Sequence, residues 1–294
     1  MITTRPNVVV VGSLNIDYTL RVPRIPAPGE TLTASGMFSC FGGKGANQAI
    51  AAARAGAETA MIGCVGVDKS GARYVEALKN EGIDIRGIQR SQTPTGLAFI
   101  AVDDAGENTI IVNPGANHEI TTAQVERHAA LIREADSLLL QLECPLPVVR
   151  LAARLARAAG VRVILNPSPL TEAFLADPFE VDVLIVNEGE ARKLAPNRTL
   201  KEAKSRQLVI TRGAESTIYV TEGGQCEYVP PKVSPADTVG AGDAFAGAFA
   251  VASSEGQGHP VAFANAAGAL ATLKAGAQSS IPWREAILAS MDPH

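Results

Sequence analysis

The residues best suited to chemistry are Asp237-Thr238-Val239-Gly240-Ala241-Gly242-Asp243, followed by small residues at 244–252 that predict a helix. A Gly-x-Gly turn that opens a helix presents backbone N–H groups and the positive end of the helix dipole to a phosphate. Asp243 at the start of that helix either stabilises the helix N-terminus or acts as a base. The glycines beside it favour a base that takes a proton from a hydroxyl attacking phosphorus.

A second glycine cluster, Phe41-Gly42-Gly43-Lys44-Gly45-Ala46-Asn47-Gln48, precedes an alanine-rich stretch that predicts a helix over 46–55. Glycines allow a ligand to approach the backbone, and the helix N-terminus offers unpaired N–H groups. Lys44 and Asn47 add polar groups suited to hydroxyls, although a tight turn with a surface lysine has the same composition. The cluster is not a Walker A loop, because its lysine lies among the glycines and no Ser or Thr follows it.

The elements that must position these clusters alternate along the chain. Apolar, β-branched runs predict buried strands at 8–11, 60–65, 137–142, 161–165, 183–186 and 208–211. Residues 46–55 and 148–159 predict helices that lie between strands. This alternation is typical of a doubly wound α/β fold with a parallel sheet.

Polar residues follow several of the predicted strands, at the edge where open α/β sheets bind ligands. They are Asn15, Asp17, Glu143, Asn166, Asn187 and Glu190. Each alone is compatible with a capping or turn role. Their repeated placement at one edge favours a binding site there.

Two segments interrupt the alternation. Residues 17–38 contain prolines at 23, 26 and 28, and residues 95–112 carry two extended stretches around the turn Asp103-Asp104-Ala105-Gly106. Both predict extended chain or hairpins, which form either a small β lid over a cleft or loops of the main domain. We expect one α/β domain over 1–294, with lid segments near 15–38 and 95–112.

Composition limits the classes of function. The chain has 294 residues, of which 46% are hydrophobic and 19% charged, and its net charge is −4. This charge offers no basic surface for nucleic acid or an anionic membrane, so a small-molecule ligand is expected. The apolar runs are too short for a signal peptide or a membrane span, which predicts a cytoplasmic protein. The four cysteines are scattered, without the spacing of a zinc site or a disulfide framework.

The two glycine clusters resemble the two sequence signatures of the PfkB family, the ribokinase-like carbohydrate kinases. The similarity continues in order through 12–17, Pro28-Gly29-Glu30-Thr31, Gln141-Leu142-Glu143, Asn166-Pro167-Ser168-Pro169, Asn187-Glu188-Gly189-Glu190 and 276–285. It implies an α/β fold with a central, mostly parallel sheet flanked by helices and a small β-sheet lid. It also implies ATP-dependent phosphorylation of D-ribose at the 5-hydroxyl, giving ribose 5-phosphate and ADP.

The resemblance implies a role for each matching residue. Asp243 is expected to be the catalytic base, beside an anion hole at Gly240, Ala241 and Gly242. The sugar would be bound by Asn15, Asp17, Gly43, Lys44, Gly45, Ala46, Asn47, Glu143 and Asp243. ATP would be bound by Asn187, Glu190, Thr211, Arg212, Gly213, Ala214, Glu215, Ser216, Gly242 and Asn265, with Asn187 and Glu190 also organising Mg²⁺. A K⁺ ion beside the anion hole would be held by Asp237, Val239, Ala271, Lys274, Gly276 and Ser280, and a homodimer would form through the lid.

Two features depart from the family pattern. Ser216 stands where the nucleotide loop commonly has a second glycine, and the segment 195–207 is shorter than the usual connection. The alternatives are a kinase for 2-deoxyribose or another small sugar, and a non-catalytic regulator that binds a sugar or nucleotide. Asp243 and its glycine turn argue against the regulator, since a binding protein needs no base. A dinucleotide-dependent dehydrogenase is disfavoured because no Gly-x-Gly-x-x-Gly follows the first strand.

Overall fold

The computed structural model describes residues 5–256 and 259–291. The strands are β1 (Asn7–Val11), β2 (Asn15–Arg21), β3 (Gly36–Gly42), β4 (Glu58–Gly66), β5 (Asp84–Ser91), β6 (Gly96–Val102), β7 (Asn108–Asn113), β8 (Ser137–Leu140), β9 (Arg162–Leu165), β10 (Val181–Asn187), β11 (Ser205–Thr211), β12 (Thr217–Thr221) and β13 (Gly224–Tyr228). The helices are α1 (Lys44–Arg54), α2 (Lys69–Asn80), α3 (Thr122–Arg127), α4 (Ala129–Arg133), α5 (Leu146–Ala158), α6 (Glu172–Ala176), α7 (Glu188–Leu194), α8 (Leu200–Ala203), α9 (Ala241–Glu255), α10 (Pro260–Ala271), α11 (Ala277–Ser280) and α12 (Arg284–Met291). A 3₁₀ helix covers Gly115–Glu119.

The larger sheet has nine strands in the order β13-β12-β11-β10-β9-β8-β1-β4-β5. The strands from β11 to β5 run parallel, and β12 and β13 form an antiparallel edge. All six strands predicted from apolar runs are present, although β8 ends at Leu140 and not at 142. The three predicted helices are also present, as α1, α5 and α9. The predicted α/β fold with a mostly parallel sheet is confirmed.

The side chains of β1 show why this sheet is covered on both faces. Val8 and Val10 belong to the hydrophobic cluster that includes α1, α9 and α10, whereas Val9 and Val11 belong to the cluster that includes α5. Successive side chains of a strand point to opposite faces, so an unbroken run of valines must be buried on both sides. Helices therefore pack on both faces of the sheet and bury these side chains.

The strand order reverses direction at β1. On one side of β1 the sheet continues with β4 and then β5. On the other side it continues with β8, β9, β10 and β11. The connections therefore leave neighbouring strands in opposite directions and open a crevice at their carboxyl ends, where α/β proteins bind ligands. Residues 12–15 after β1 and 141–143 after β8 border this crevice. The fold thus brings the polar residues that follow these strands to one place.

The two interrupting segments form a second sheet of four strands, in the order β3-β2-β6-β7. Strand β2 pairs in parallel with β6, while β3 and β7 are antiparallel to their neighbours. Residues 15–21, 36–42, 96–102 and 108–113 of these segments are therefore strands of a separate small sheet and not loops of the main domain. That this sheet acts as the lid of a single domain stays a prediction.

Helices α1 and α9 pack so closely that their backbones nearly touch. A Cβ atom added to Gly247 of α9 would lie 2.4 Å from the Cβ of Ala51 and 2.6 Å from the carbonyl oxygen of Gln48. Residues 45–52 of α1 and 243–252 of α9 are all buried. The close approach places the N-termini of the two helices, and with them the two glycine clusters, side by side.

We expect Gly247→Ala to destabilise the protein, although alanine normally favours a helix interior by about 1 kcal/mol over glycine. The added methyl must push the helices apart, and overpacking of this kind costs about 1–3 kcal/mol. Urea denaturation should therefore show a lower free energy of unfolding. Gly189→Ala, at an exposed position of α7 where the added Cβ would lie 3.2 Å from the side-chain oxygen of Asn187, is the control and should change the free energy of unfolding by less than about 1 kcal/mol. Equal stabilisation by both substitutions would contradict the close packing of α1 on α9.

Candidate active site

Asp243 is the third residue of α9 and is 6% exposed. Its two carboxylate oxygens accept hydrogen bonds from consecutive residues of α1. Asn47 Nδ2 donates to Oδ2 at 2.9 Å, and Gln48 Nε2 donates to Oδ1 at 2.9 Å. The carboxylate is thus held by amide donors on both sides.

The turn before Asp243 leaves backbone donors free. Gly240 has a φ of +81°, and the N–H of Ala241 already donates to the carbonyl of Thr238. Within the part of the chain that the structure describes, the N–H groups of Gly242 and Asp243 make no hydrogen bond to a protein group. A Cβ added to Gly242 would meet no atom within 4 Å, so the space before these donors is open. The geometry is that of an anion-binding helix N-terminus.

The first glycine cluster packs tightly on the residues that follow β1. A Cβ at Gly43, whose φ is +92°, would lie 2.7 Å from the backbone nitrogen of Asn15, and one at Gly45 would lie 2.4 Å from that of Ser13. Glycine was predicted here to let a ligand approach the backbone. The structure gives a different reason, since these two glycines make room for the chain itself.

Ser13 and Glu143 fix the loop in this position. The N–H of Ala46 donates to the carbonyl of Ser13 at 3.0 Å, and the N–H of Lys44 donates to Glu143 Oε2 at 2.9 Å. The Ser13 hydroxyl donates to the same Oε2. Glu143, predicted to bind sugar hydroxyls, therefore also joins the loop to the end of β8.

Asn15 is oriented by a residue that the sequence did not single out. Asn117 is 1% exposed, and its Nδ2 donates to Asn15 Oδ1 at 2.7 Å, while its Oδ1 accepts from the N–H of Leu14 at 2.8 Å. A buried amide that is satisfied in this way holds its partner in one orientation.

Lys44 lies within the electrostatic influence of four carboxylates, those of Asp17, Glu143, Glu190 and Asp243. Burial, and then the negative charges of Glu143 and Asp243, raise the pKa of Asp17 to about 7, although the Lys44 ammonium opposes the shift. The charge of Asp243 raises the pKa of Lys44 in spite of its burial. Lys44 therefore stays protonated, and it supplies the positive charge that this acidic site needs.

The predicted K⁺ residues lie on two adjoining segments, 237–239 and 271–280. Asp237 Oδ1 accepts from the N–H of Val239 at 3.0 Å, and Oδ2 accepts from the N–H of Gly276 at 2.9 Å. Ala271 and Ser280 are buried, whereas Lys274 is exposed. The structure thus brings the backbone of both segments together at Asp237.

Gln278, another residue that sequence reasoning missed, connects α11 to the site. Its Nε2 donates to Asn47 Oδ1 at 3.0 Å and to the hydroxyl of Tyr74 at 2.6 Å. From the other side, Arg54 donates to the carbonyl oxygens of Gln278 and Ile281 at 2.9 and 2.8 Å. The segment is therefore linked through Asn47 to Asp243.

The predicted nucleotide residues at the ends of β10 and β11 are neighbours, since Asn187 pairs with Thr211. Asn187 and Glu190 form a capping box at the start of α7, with bonds of 2.9 and 2.8 Å. Burial raises the pKa of Glu190. The short segment 195–207 contains only the four-residue helix α8 before β11 begins.

The loop 212–216 joins the antiparallel strands β11 and β12. Arg212 Nε donates to the carbonyl of Ser216 at 2.7 Å, and both side chains contact Glu227. Asn265 accepts from Thr217 Oγ1 at 2.6 Å and donates to the carbonyl of Tyr228 at 2.9 Å. These side chains shape the loop, while Gly213, Ala214 and Glu215 form its turn.

Across 5–256 and 259–291, no three His, Cys, Asp or Glu side chains group as a metal site. None of the helices in these ranges combines the length and apolar character of a membrane span. Cys40, Cys64, Cys144 and Cys226 are free thiols.

The crevice contains a carboxylate held by two side-chain amides, a turn with open backbone N–H groups and several polar side chains, an arrangement suited to a phosphotransferase that acts on a carbohydrate. A model of the pfkB family carbohydrate kinases matches residues 5–284. The chain belongs to this family and is a sugar kinase.

Three of the similar proteins are named as ribokinases. Ribokinase of Haemophilus influenzae is 39% identical over 302 residues, covering 97% of this chain and 98% of the relative. The structure of ribokinase from Thermotoga maritima has a TM-score of 0.85 at 35% identity, covering 97% of this chain and 99% of that one. The structure of Arabidopsis thaliana ribokinase complexed with ribose and ATP has a TM-score of 0.86 at 31% identity, covering 99% and 100%.

We expect Asp17→Asn to stabilise the protein at neutral pH. A carboxyl whose pKa rises on folding binds its proton more tightly in the folded state, so its contribution to stability falls as pH increases from about 4 to about 7. The variant removes this loss. Without ligands its Tm should exceed that of the wild type by more than about 3 °C at pH 8, and the difference should shrink toward pH 5.

Asp84→Asn is the control for this measurement, because its pKa is lowered by its hydrogen bonds to Arg86. It should not raise Tm at pH 8. An Asp17→Asn variant that gains no stability at pH 8 would contradict the assignment of a costly buried charge at this position.

Proposed function

We propose that this protein transfers the γ-phosphoryl group of ATP to the 5-hydroxyl of D-ribose, giving ribose 5-phosphate and ADP. The main support for the proposal is the position of the Asp243 carboxylate. Two side-chain amides hold it beside the open N–H groups of Gly242 and Asp243. The similarity to ribokinases over nearly the full chain, including one whose structure contains ribose and ATP, supports ribose as the sugar.

On the sugar side, hydroxyls would lie among the polar groups that border the crevice. Asn15, Asp17, Lys44, Asn47 and Glu143 supply both donors and acceptors, while Gly43, Gly45 and Ala46 form the backbone of the loop. Asn117 and Ser13 hold two of these groups in place before a ligand arrives. Such preorganisation lowers the cost of binding, since fewer side chains must be immobilised.

In the reaction the sugar hydroxyl attacks the γ-phosphorus, its proton passes to Asp243, and the bond to ADP breaks. The open N–H groups at the start of α9 and the helix dipole would stabilise charge on the transferring oxygens. Asn187, Glu190, Thr211, the loop 212–216 and Asn265 would lie along ATP. Mg²⁺ bound to the phosphates would neutralise their charge, and it commonly takes only one or two protein carboxylates.

A K⁺ ion fits the two segments that meet at Asp237, because they offer a carboxylate and backbone carbonyls, the oxygen ligands that this ion prefers. Asp237, Val239, Ala271, Gly276 and Ser280 would hold it, and the exposed Lys274 would contribute through its backbone. Bound there, the ion would order the turn that leads to Gly240.

The four-stranded sheet exposes large apolar side chains, namely Met37, Phe38, Phe99, Ile110 and Ile111. An exposed apolar patch favours association, so a homodimer through this lid is proposed. A cytoplasmic location agrees with a substrate and cosubstrate that are small soluble molecules.

A coupled assay of ADP release over a panel of sugars tests the function. We expect the highest kcat/KM with D-ribose, because the site offers polar partners to several hydroxyls. A higher value with 2-deoxyribose would favour the alternative kinase, and no ADP release with any sugar would favour the non-catalytic regulator.

Asp243→Asn should keep the fold and the affinity for ribose but lower kcat by roughly a hundred- to ten-thousand-fold, the usual contribution of a positioned base. Calorimetric titration with ribose and steady-state kinetics provide the two measurements. Turnover within about tenfold of the wild type would remove Asp243 from the role of base.

Potassium should raise kcat well above its value in sodium-only buffer. The ion is weakly hydrated, so a ring of carbonyl oxygens replaces its water shell more readily than that of sodium. The effect should appear in kcat, because ordered amides act on charge that develops in the transition state. Equal rates in potassium, sodium and tetramethylammonium at fixed ionic strength would contradict the site.

A further inference from the structure

Gln48 lies behind the proposed base and is 0% exposed. Its Nε2 donates to Asp243 Oδ1 at 2.9 Å and to Asn166 Oδ1 at 3.1 Å, and its Oε1 accepts from Gln141 Nε2. Both amide hydrogens and the carbonyl oxygen are therefore used inside the protein. Gln48 has no group left to offer a sugar or a nucleotide.

The hydrogen-bonding capacity of each group fixes the orientation of the side-chain amides of Gln48, Gln141 and Asn166. An ionised carboxylate can only accept hydrogen bonds, so the NH₂ group of Gln48 must face Asp243. Its carbonyl oxygen must then face Gln141, which presents its own NH₂ group. Asn166 is fixed by donating to the carbonyl of Ile185 at 2.9 Å. The ends of β8 and β9 thus determine the orientation of Gln48.

Asn47 alone would not give Asp243 a single orientation. It holds only Oδ2 and is itself expected to contact the sugar. A carboxylate with one donor can rotate about the Cβ–Cγ bond, whereas donors on both oxygens fix its plane. The second donor is Gln48, which no substrate contact can pull away.

We propose that Gln48 is a positioning residue of the phosphoryl-transfer reaction, which fixes the carboxylate plane of Asp243 toward the sugar hydroxyl without touching either substrate. The proposal rests on the proposed function of Asp243 as base. Its consequence is a loss of kcat, with little change in substrate affinity, when the amide of Gln48 is removed.

The first test is Gln48→Met, which keeps the length of the side chain and removes its donors. We expect kcat to fall about 10- to 100-fold while KM for ribose and ATP stays within about threefold, since the contact acts on the base and not on ground-state binding. A raised KM with unchanged kcat would overturn the proposal, as would wild-type values of both.

Gln124→Met is the matched control. Gln124 is 1% exposed, and its Nε2 donates to the carbonyl oxygens of Gly63 and Gly87 at 2.8 and 3.0 Å. The variant loses a comparable buried amide, so thermal unfolding should show a similar loss of stability. Its kcat should stay within about twofold of the wild type. An equal loss of kcat in Gln48→Met and Gln124→Met would show that Gln48 has only a structural role and would overturn the proposal.

A double-mutant cycle tests whether Gln48 acts through Asp243. If it does, Gln48→Met should lower kcat no further in an Asp243→Asn background, because residues that act as a unit are not additive. An additive loss would overturn the proposal. Gln141→Met, which leaves Gln48 unoriented, should lower kcat about three- to tenfold at unchanged KM, and it provides the test if Gln48→Met fails to fold. Full kcat in Gln141→Met would then count against the proposal.

The outcomes for the two proposals differ. A wild-type protein that phosphorylates no sugar would overturn the proposed function. An active wild type with an inactive Asp243→Asn and a fully active Gln48→Met would overturn only the role of Gln48.

Discussion

The site depends on the contact between the N-termini of α1 and α9. Asn47 and Gln48 extend from α1 to the two oxygens of Asp243, and they can do so because Gly247 lets α9 lie against the backbone of α1. The same contact brings the loop that carries Lys44 beside the turn at Gly240. The two glycine clusters therefore lie in one packed unit, although 195 positions separate Gln48 from Asp243.

This arrangement concentrates negative charge in a buried place. Asp17, Glu143 and Asp243 lie near one another, and the raised pKa of Asp17, about 7, reflects the unfavourable free energy of ionising a buried carboxyl beside like charges. Lys44 partly compensates for these charges. A sugar whose hydroxyls donate hydrogen bonds to these carboxylates would stabilise their ionised form. The buried negative charge that is unfavourable in the free protein therefore favours binding of a polyol.

The fold was largely predictable from local patterns, because uninterrupted valine runs such as Val8–Val11 are compatible only with strands buried on both faces. The place of the two glycine clusters at helix N-termini was predictable from glycine turns that open helices. The roles of Asp243 as base and of residues 43–47 as sugar loop stay predictions. Gln48, Asn117 and Gln278 were not predictable, since each acts through partners far away in sequence; 195 positions separate Gln48 from Asp243. In the sequence Gln48 is one helix-forming residue among others. The residues next to it give no indication that its side chain donates a hydrogen bond to Asp243.

Asp243, fixed by Asn47 and Gln48, is the group proposed to receive the proton of the attacking hydroxyl. A crystal structure with D-ribose and a non-hydrolysable ATP analogue tests this role directly, by the distance from the 5-hydroxyl oxygen to the nearest carboxylate oxygen. We expect Asp243 to be nearest, at about 2.6–3.2 Å, with both amide donors still in place. A 5-hydroxyl bound to Asp17 or Glu143 and out of reach of Asp243 would rule out Asp243 as the base.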